Sequence, residues 1–409
     1  MCIIHKGIRG FRAVSPALNL GGKLIGLKSA IHYEIIHSTL AIIKTNTNML
    51  SKLHILLLGI FISLSSCSKD NTPAESVVKR DFKMGFTTWS FGPDIQDVND
   101  TYSFIENNAD IYTEHIDNKI PWNAWMNNLP LPTEFTNEIT GRVNRKIDHA
   151  QLLLSVSLLN SNRDELAEDY DGTIPSYSNL NDVQIEDAYF KHINYLVSQL
   201  TPDYLVIAIE VNELKIRAED KWDSYKLLIQ NVKSRVKQLY PNLTISESIS
   251  LHNLYEPDVA NPAAYINEMT NYINQMDFVA ISFYPFFKNL HSKNEFQQIF
   301  DFLHNNINQP IAFVETSHIA EDLIVPNLNL SINGTEIEQN LYLECLLENA
   351  QEQNYEFVIW WTHRDYDALW ETFPPELKDI GQLWRDSGLL DENGNERLSI
   401  TTWNNHLDK

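Results

Sequence analysis

Eight short apolar runs constrain this chain more than any other feature. They are Phe82–Trp89, Asp110–Ile116, Leu152–Leu158, Tyr204–Val211, Leu243–Ile249, Phe278–Tyr284, Ile311–Glu315 and Phe357–Trp361. Each is followed by a helix-patterned segment or by a loop long enough to hold one. Tyr189, Ile193, Leu196, Val197 and Leu200 fall at helical spacing in one such segment, and Tyr225, Leu228, Ile229, Val232 and Val236 in another. Thr335-Glu-Ile-Glu338 reads as a capping box that opens a helix running towards Ala350. Strands that are apolar throughout and alternate with amphipathic helices predict a parallel sheet covered by helices on its outer face. The expected fold is therefore a single (β/α)8 TIM barrel over residues 80–409. An open doubly wound sheet is the alternative. It would bring a glycine-rich phosphate loop after the first strand, and Thr87-Thr-Trp-Ser-Phe-Gly-Pro93 is not one.

The start of the chain reads differently. Met49-Leu-Ser-Lys52 leads into the apolar stretch Leu53–Leu64 and then the small residues before Cys67, the pattern of a signal peptide over residues 49–66. The apolar stretch is short for a span of ~20 residues. Leu64-Ser-Ser-Cys67 resembles a bacterial lipobox, in which the cysteine is acylated and becomes the new N-terminus. Residues 67–79 then form a polar, flexible tether, and residues 1–48, which hold no motif, an upstream extension from a mis-set start. This reading predicts a monomeric lipoprotein anchored through Cys67 in the outer membrane, facing the periplasm or the cell surface.

Charge narrows the partners. Residues 1–67 hold seven Lys/Arg and one acid, which leaves 24 Lys+Arg against 53 Asp+Glu in the rest of the chain. So acidic a balance argues against nucleic acid and suits a neutral or cationic substrate. Only Cys345 lies beyond Cys67, within a helical apolar pattern, so no intrachain disulfide is expected after processing.

In a barrel of this kind the chemistry sits at the C-terminal ends of the strands. The residues expected there are Trp89, Glu114, His115, Asp117, Asn160, Asn212, Glu213, His252, Tyr284, Glu315, His318, Trp360 and Trp361. Aromatic rings mixed with carboxylates, amides and imidazoles suit a carbohydrate. Sugar C–H faces stack on indoles, and sugar hydroxyls need planar hydrogen-bonding partners. Glu213 and Glu315 are the expected catalytic pair, one to protonate a leaving oxygen and one to attack the anomeric carbon. Trp89, Glu114, Asn212, His252, Tyr284, His318, Trp360 and Trp361 are expected to bind substrate. Glu210 lies within the fourth run and reads as a buried structural group, with the acid role as its alternative.

Four stretches carry a resemblance: Val211-Asn-Glu213, Ile281-Ser-Phe-Tyr-Pro-Phe-Phe287, Phe313-Val-Glu-Thr-Ser317 and Asn333-Gly-Thr-Glu-Ile-Glu-Gln339. They resemble clan A glycoside hydrolases, and most of all family 53, the endo-β-1,4-galactanases. The resemblance covers residues 204–361. It implies that Glu213 is the acid/base, that Glu315 is the nucleophile, and that Tyr284 holds the nucleophile. It departs at Val211, where the family has glycine, and at Trp360-Trp-Thr-His-Arg364. No arginine follows the second run, where the clan often has one. The implied activity is retaining, endo-acting hydrolysis of a galactan-like β-linked glycan, without metal or cofactor. A non-catalytic glycan-binding lipoprotein on the same barrel is the alternative. An esterase is disfavoured, because the chain has no Gly-x-Ser-x-Gly and no His-Glu-x-x-His.

Overall fold

The computed structural model describes residues 79–117 and 119–408. The expected extension (1–48), the signal segment (49–66), Cys67 and the tether as far as residue 78 lie outside the described residues.

All eight apolar runs form strands. They are β1 Lys83–Thr87, β2 Ile111–Ile116, β3 Gln151–Val156, β4 Tyr204–Val206, a fifth run split into β5 Thr244–Ser246 and β6 Ser248–Ser250, then β7 Val279–Phe283 and β8 Ile311–Thr316. A short antiparallel hairpin, β9 Leu323–Val325 and β10 Leu330–Ile332, precedes the last barrel strand, β11 Phe357–Trp360. The barrel strands pair in parallel in the order β5-β4-β3-β2-β1-β11-β8-β7-β6. The two end strands are halves of one run interrupted only at Glu247, so the sheet comes round on itself as a nearly closed (β/α)8-type barrel.

Helices follow the strands in turn. They are α1 Ile95–Asn108, α2 Trp122–Asn127, α3 Thr133–Val143, α4 Val183–Leu200, α5 Asn212–Arg217, α6 Trp222–Leu239, α7 Leu251–Tyr255, α8 Pro262–Ile273, α9 Lys293–Asn306, α10 Glu336–Glu352, α11 Asp367–Glu371, α12 Pro375–Gly381 and α13 Leu398–Leu407. The Thr335 side chain caps α10 by accepting from the Glu338 amide at 3.2 Å. Ser292 and Glu295 form a capping box on α9.

The two-residue period of each strand sorts its side chains. Ile111, Leu153, Val206, Ala280, Ala312 and Ile359 fill the barrel. Their chain neighbours Tyr112, Leu152, Leu205, Ile281, Phe313 and Val358 pack outward against the helices. That parity decides which strand-end residues reach the mouth.

Two irregularities shape the mouth. The fourth run leaves regular strand geometry after Val206, five residues before its apolar pattern ends. Ser248 donates to the Ala208 carbonyl at 3.0 Å and accepts from the Val211 amide at 2.9 Å, so β4 carries one residue more than its partner. The extra residue is absorbed where Glu210 takes φ +52°, its amide donating to Ser248 Oγ at 2.9 Å. This is a β-bulge, which bends a strand and re-aims a side chain. A second slip lies between β7 and β8, where Ile281 pairs with Phe313 but Ser282 pairs with Glu315.

Glu247, at the seam between β5 and β6, faces outward. It is fully buried and accepts from the Tyr225 and Tyr272 hydroxyls. Burial pushes its carboxyl up from 4.5 to about 7, against the lowering effect of those two hydroxyls and Lys233. A folded-state pKa above the unfolded one gives stability that is present below about 4.5 and lost as pH rises through about 7. Thermal melts of the wild type and Glu247→Gln from pH 4 to 9 should therefore diverge. The variant is expected to gain on the order of 3 kcal/mol relative to wild type at the alkaline end; parallel curves would contradict this assignment.

Candidate active site

Glu315 ends β8 and is 9% exposed. The Tyr284 hydroxyl, from the end of β7, donates to Glu315 Oε1. Burial first, and then the charge of Glu315, raise the Tyr284 hydroxyl well above its ordinary range, so it stays a donor. His115, from the inward face of β2, places Nδ1 3.6 Å from Glu315 Oε2, and its Nε2 lies 4.0 Å from Asp117.

Asp117 leads the network onward. Arg163, in the loop after β3, grips it with two bonds of 2.9 and 2.8 Å. The same guanidinium reaches Glu210 Oε2 at 3.2 Å. Glu210 Oε1 accepts from Ser282 Oγ at 2.8 Å, and Ser282 is the ladder partner of Glu315. The polar side chains thus run round the mouth from Glu315 through His115, Asp117, Arg163 and Glu210 to Ser282, beside where they began. Burial raises the Glu210 carboxyl, but Arg163, His252 and the Ser282 hydroxyl outweigh it, and the net shift is downward. Arg163 loses to burial but gains more from Asp117 and Glu210, so it stays charged.

Aromatic rings wall one side. Trp361 lies 5.4 Å from His115 and 5.5 Å from Trp89, ring to ring. Trp384, from the long segment after β11, lies 5.7 Å from Tyr284. The indole N–H groups of Trp89, Trp361 and Trp384 are buried, with no hydrogen-bond partner among the described residues. The flat apolar faces of these rings suit a ligand that carries C–H surface.

The other expected site residues are held by contacts of their own. Glu213 sits in the first turn of α5, 5% exposed, with Arg217 at 3.0 Å and the Asn253 amide donating to it. Asn212 spends both ends of its amide on the Ser250 backbone, at 3.1 and 2.8 Å, and it is fully buried. His252 lies between these regions, 5.5 Å from the Phe287 ring. Burial lowers its pKa, opposed by both Glu213 and Glu210. Glu114 and Trp360 have outward parity. Glu114 accepts from Tyr102 at 2.7 Å and pairs with Arg142 under the helices, and the Trp360 indole donates to the Ser387 carbonyl at 2.9 Å. His318 is buried between Phe296 and Tyr342, its ring nitrogens on the Ile319 and Leu290 carbonyls.

Arg163 and Ser282 were not singled out in the sequence. Arg163 stands in the polar turn Asn160–Glu165, where its only signal is that a charge follows a strand end. Asp365, Asp367 and Asp386 bring carboxylate oxygens within 4.8 Å of one another. Arg385 pairs with Asp386 at 2.7 Å and with Asp367 at 3.3 Å, and Arg397 pairs with Asp365, so each carboxylate already has a cationic partner.

The outward placement of Glu114 has a consequence. Glu114→Ala leaves Arg142, 21% exposed in its side chain, with Glu138 as its one carboxylate and the buried Tyr102 hydroxyl without its acceptor, and should cost roughly 2–3 kcal/mol. Denaturant melts should show that loss with glycan binding unchanged; weaker binding at unchanged stability would place Glu114 in the site instead.

Residues 189–341 match the profile of glycosyl hydrolase family 53. That span runs from α4 to α10 and contains Glu210, Glu213, Tyr284 and Glu315. No curated protein matches the sequence significantly. Among solved structures, the GH53 catalytic domain of Ignisphaera aggregans aligns with a TM-score of 0.50 at 17% identity, over 76% of this chain and 88% of that one. A GH5_18 protein from Bifidobacterium longum subsp. infantis aligns at 0.55 and 16%, over 81% and 79%. An exo-β-1,4-mannosidase from Opitutaceae bacterium strain TAV5 aligns at 0.56 and 9%, over 80% and 59%. These likenesses show the barrel. Residues 189–341 are thus family 53-like in sequence, within a barrel of the kind these neighbours share.

Proposed function

We propose that this protein is a retaining glycoside hydrolase in which Glu315 is the nucleophile. The observation that carries the reading is the Tyr284–Glu315 contact at the strand ends, beside the aromatic wall of Trp89, Trp361 and Trp384. A carboxylate held by a permanent donor is favoured in its charged form, as a nucleophile requires. Attack on the anomeric carbon gives a glycosyl-enzyme, which water then hydrolyses. The segment after β4 supplies the second carboxylate, from Glu213, which the family resemblance indicates, or from Glu210.

The acidic composition and the carboxylates of the mouth favour a neutral glycan over an anionic one. A β-linked, galactan-like polysaccharide cut internally is the substrate that the family match best supports. The segment around Cys67 supports anchorage of the enzyme to a membrane by lipid. Among the described residues no helix is long and apolar enough to span one. A glycan-binding protein without turnover is the second reading. It is favoured by the engagement of Asn212 with Ser250 and of Glu213 with Arg217.

Screening the protein against plant and algal polysaccharides, with product sizing, separates the two readings. Glu315→Ala should lower turnover by roughly 10³-fold or more. Azide should restore cleavage of an activated glycoside and yield a product of inverted configuration. Binding without cleavage, on every substrate bound, would favour the second reading. For the anchor, Cys67→Ala should abolish lipid labelling and move the protein out of the membrane fraction; an unchanged distribution would remove that proposal.

A further inference from the structure

We infer that Glu210, and not the glutamate of the Asn-Glu pair, is the proton donor that works opposite Glu315. This rests on the hydrolase reading above and concerns which side chain performs its second role. The first observation is the bulge. Glu210 adopts φ +52°, and Arg163, which it meets, adopts φ +57°. Left-handed backbone is unfavourable at a residue with a side chain, and such positions cluster where a side chain must be aimed. Here two of them lie at the mouth and bring one ion pair together.

The second observation is connection. Ser282 donates to Glu210 and lies opposite Glu315 in the ladder. Two residues further along the same strand, Tyr284 donates to Glu315 and feels the charge of Glu210 as well. The Glu210 and Glu315 carboxylates therefore sit either side of one strand end. Glu213 is on the turn of helix beyond, clamped by Arg217 and Asn253.

In the first step the Glu210 carboxyl gives its proton to the glycosidic oxygen. The C–O bond breaks with its electron pair going to that oxygen, and a Glu315 oxygen bonds to the anomeric carbon. In the second, Glu210 as carboxylate takes a proton from water, the water oxygen bonds to the anomeric carbon, and Glu315 leaves as carboxylate. Arg163 is a positioning residue in this scheme. With Asp117 behind it, and with His252, Ser282 and Tyr284 on the other sides of Glu210, it orients the carboxylate and favours the form needed in the second step.

Two measurements test this. In carboxyl NMR titrations of the purified protein labelled at glutamate, Glu315→Gln removes a negative neighbour. The Glu210 midpoint should then fall by about one pH unit while that of Glu213 stays. A shift at Glu213 alone, or at neither, overturns the assignment, and this result needs no substrate. In kinetics, Glu210→Gln should lose ~10²–10⁴-fold on glycosides with poor leaving groups and far less on activated ones. Arg163→Gln should move the alkaline limb of kcat/KM to higher pH, because loss of the cation makes Glu210 hold its proton longer. The leaving-group pattern appearing in Glu213→Gln instead would overturn the inference. Absence of turnover in the wild type would overturn the hydrolase reading separately, with the titration still deciding which glutamate faces Glu315.

Discussion

The mouth of this barrel gathers Glu315, Asp117 and Glu210 above an apolar plug, and Arg163 is what makes that arrangement tenable. Isolated carboxylates there would be driven to their neutral forms by desolvation. The guanidinium binds two of the three, at 2.8 and 3.2 Å. His115 stands between Asp117 and Glu315, and the hydroxyls of Tyr284 and Ser282 donate to Glu315 and Glu210. No arginine follows β2 in the sequence. The cation comes instead from the loop after β3, at a residue in left-handed backbone. Electrostatics thus set the shape of that loop as much as the loop sets the electrostatics.

Much of the architecture was legible because it depends on local pattern. Apolar, β-branched runs separated by amphipathic segments admit few arrangements, and all eight runs are strands. The end of β4 was not legible. Tyr204–Val211 reads as one unbroken strand, but the ladder slips where Ser248 bonds both Ala208 and Val211. That slip is a property of the pairing with β6, and nothing in the fourth run announces it. Its effect is to turn Glu210 into the mouth and to carry Asn212 and Glu213 out onto a helical turn.

Parity explains the rest. Glu114 and His115 are neighbours in sequence, as are Trp360 and Trp361, and each pair divides between the two faces of the sheet. His115 and Trp361 reach the mouth; Glu114 and Trp360 hold the barrel to its helices. A two-residue period counted from the interior residues Ile111 and Ile359 separates them. Trp384 had no such signal. It stands beyond α12, and its approach to Tyr284 depends on how the segment after β11 folds back over the β9–β10 hairpin.

A double displacement between Glu315 and a second glutamate across the end of β7 fixes the stereochemistry of the first product formed. Proton NMR of the anomeric signals during early hydrolysis, before mutarotation, reads that configuration without reference to any variant. After two displacements the new reducing end should first carry the configuration of the bond cleaved. An initial product of inverted configuration would contradict it, because direct attack by water requires carboxylates ~6.5–9.5 Å apart rather than ~5–5.5 Å.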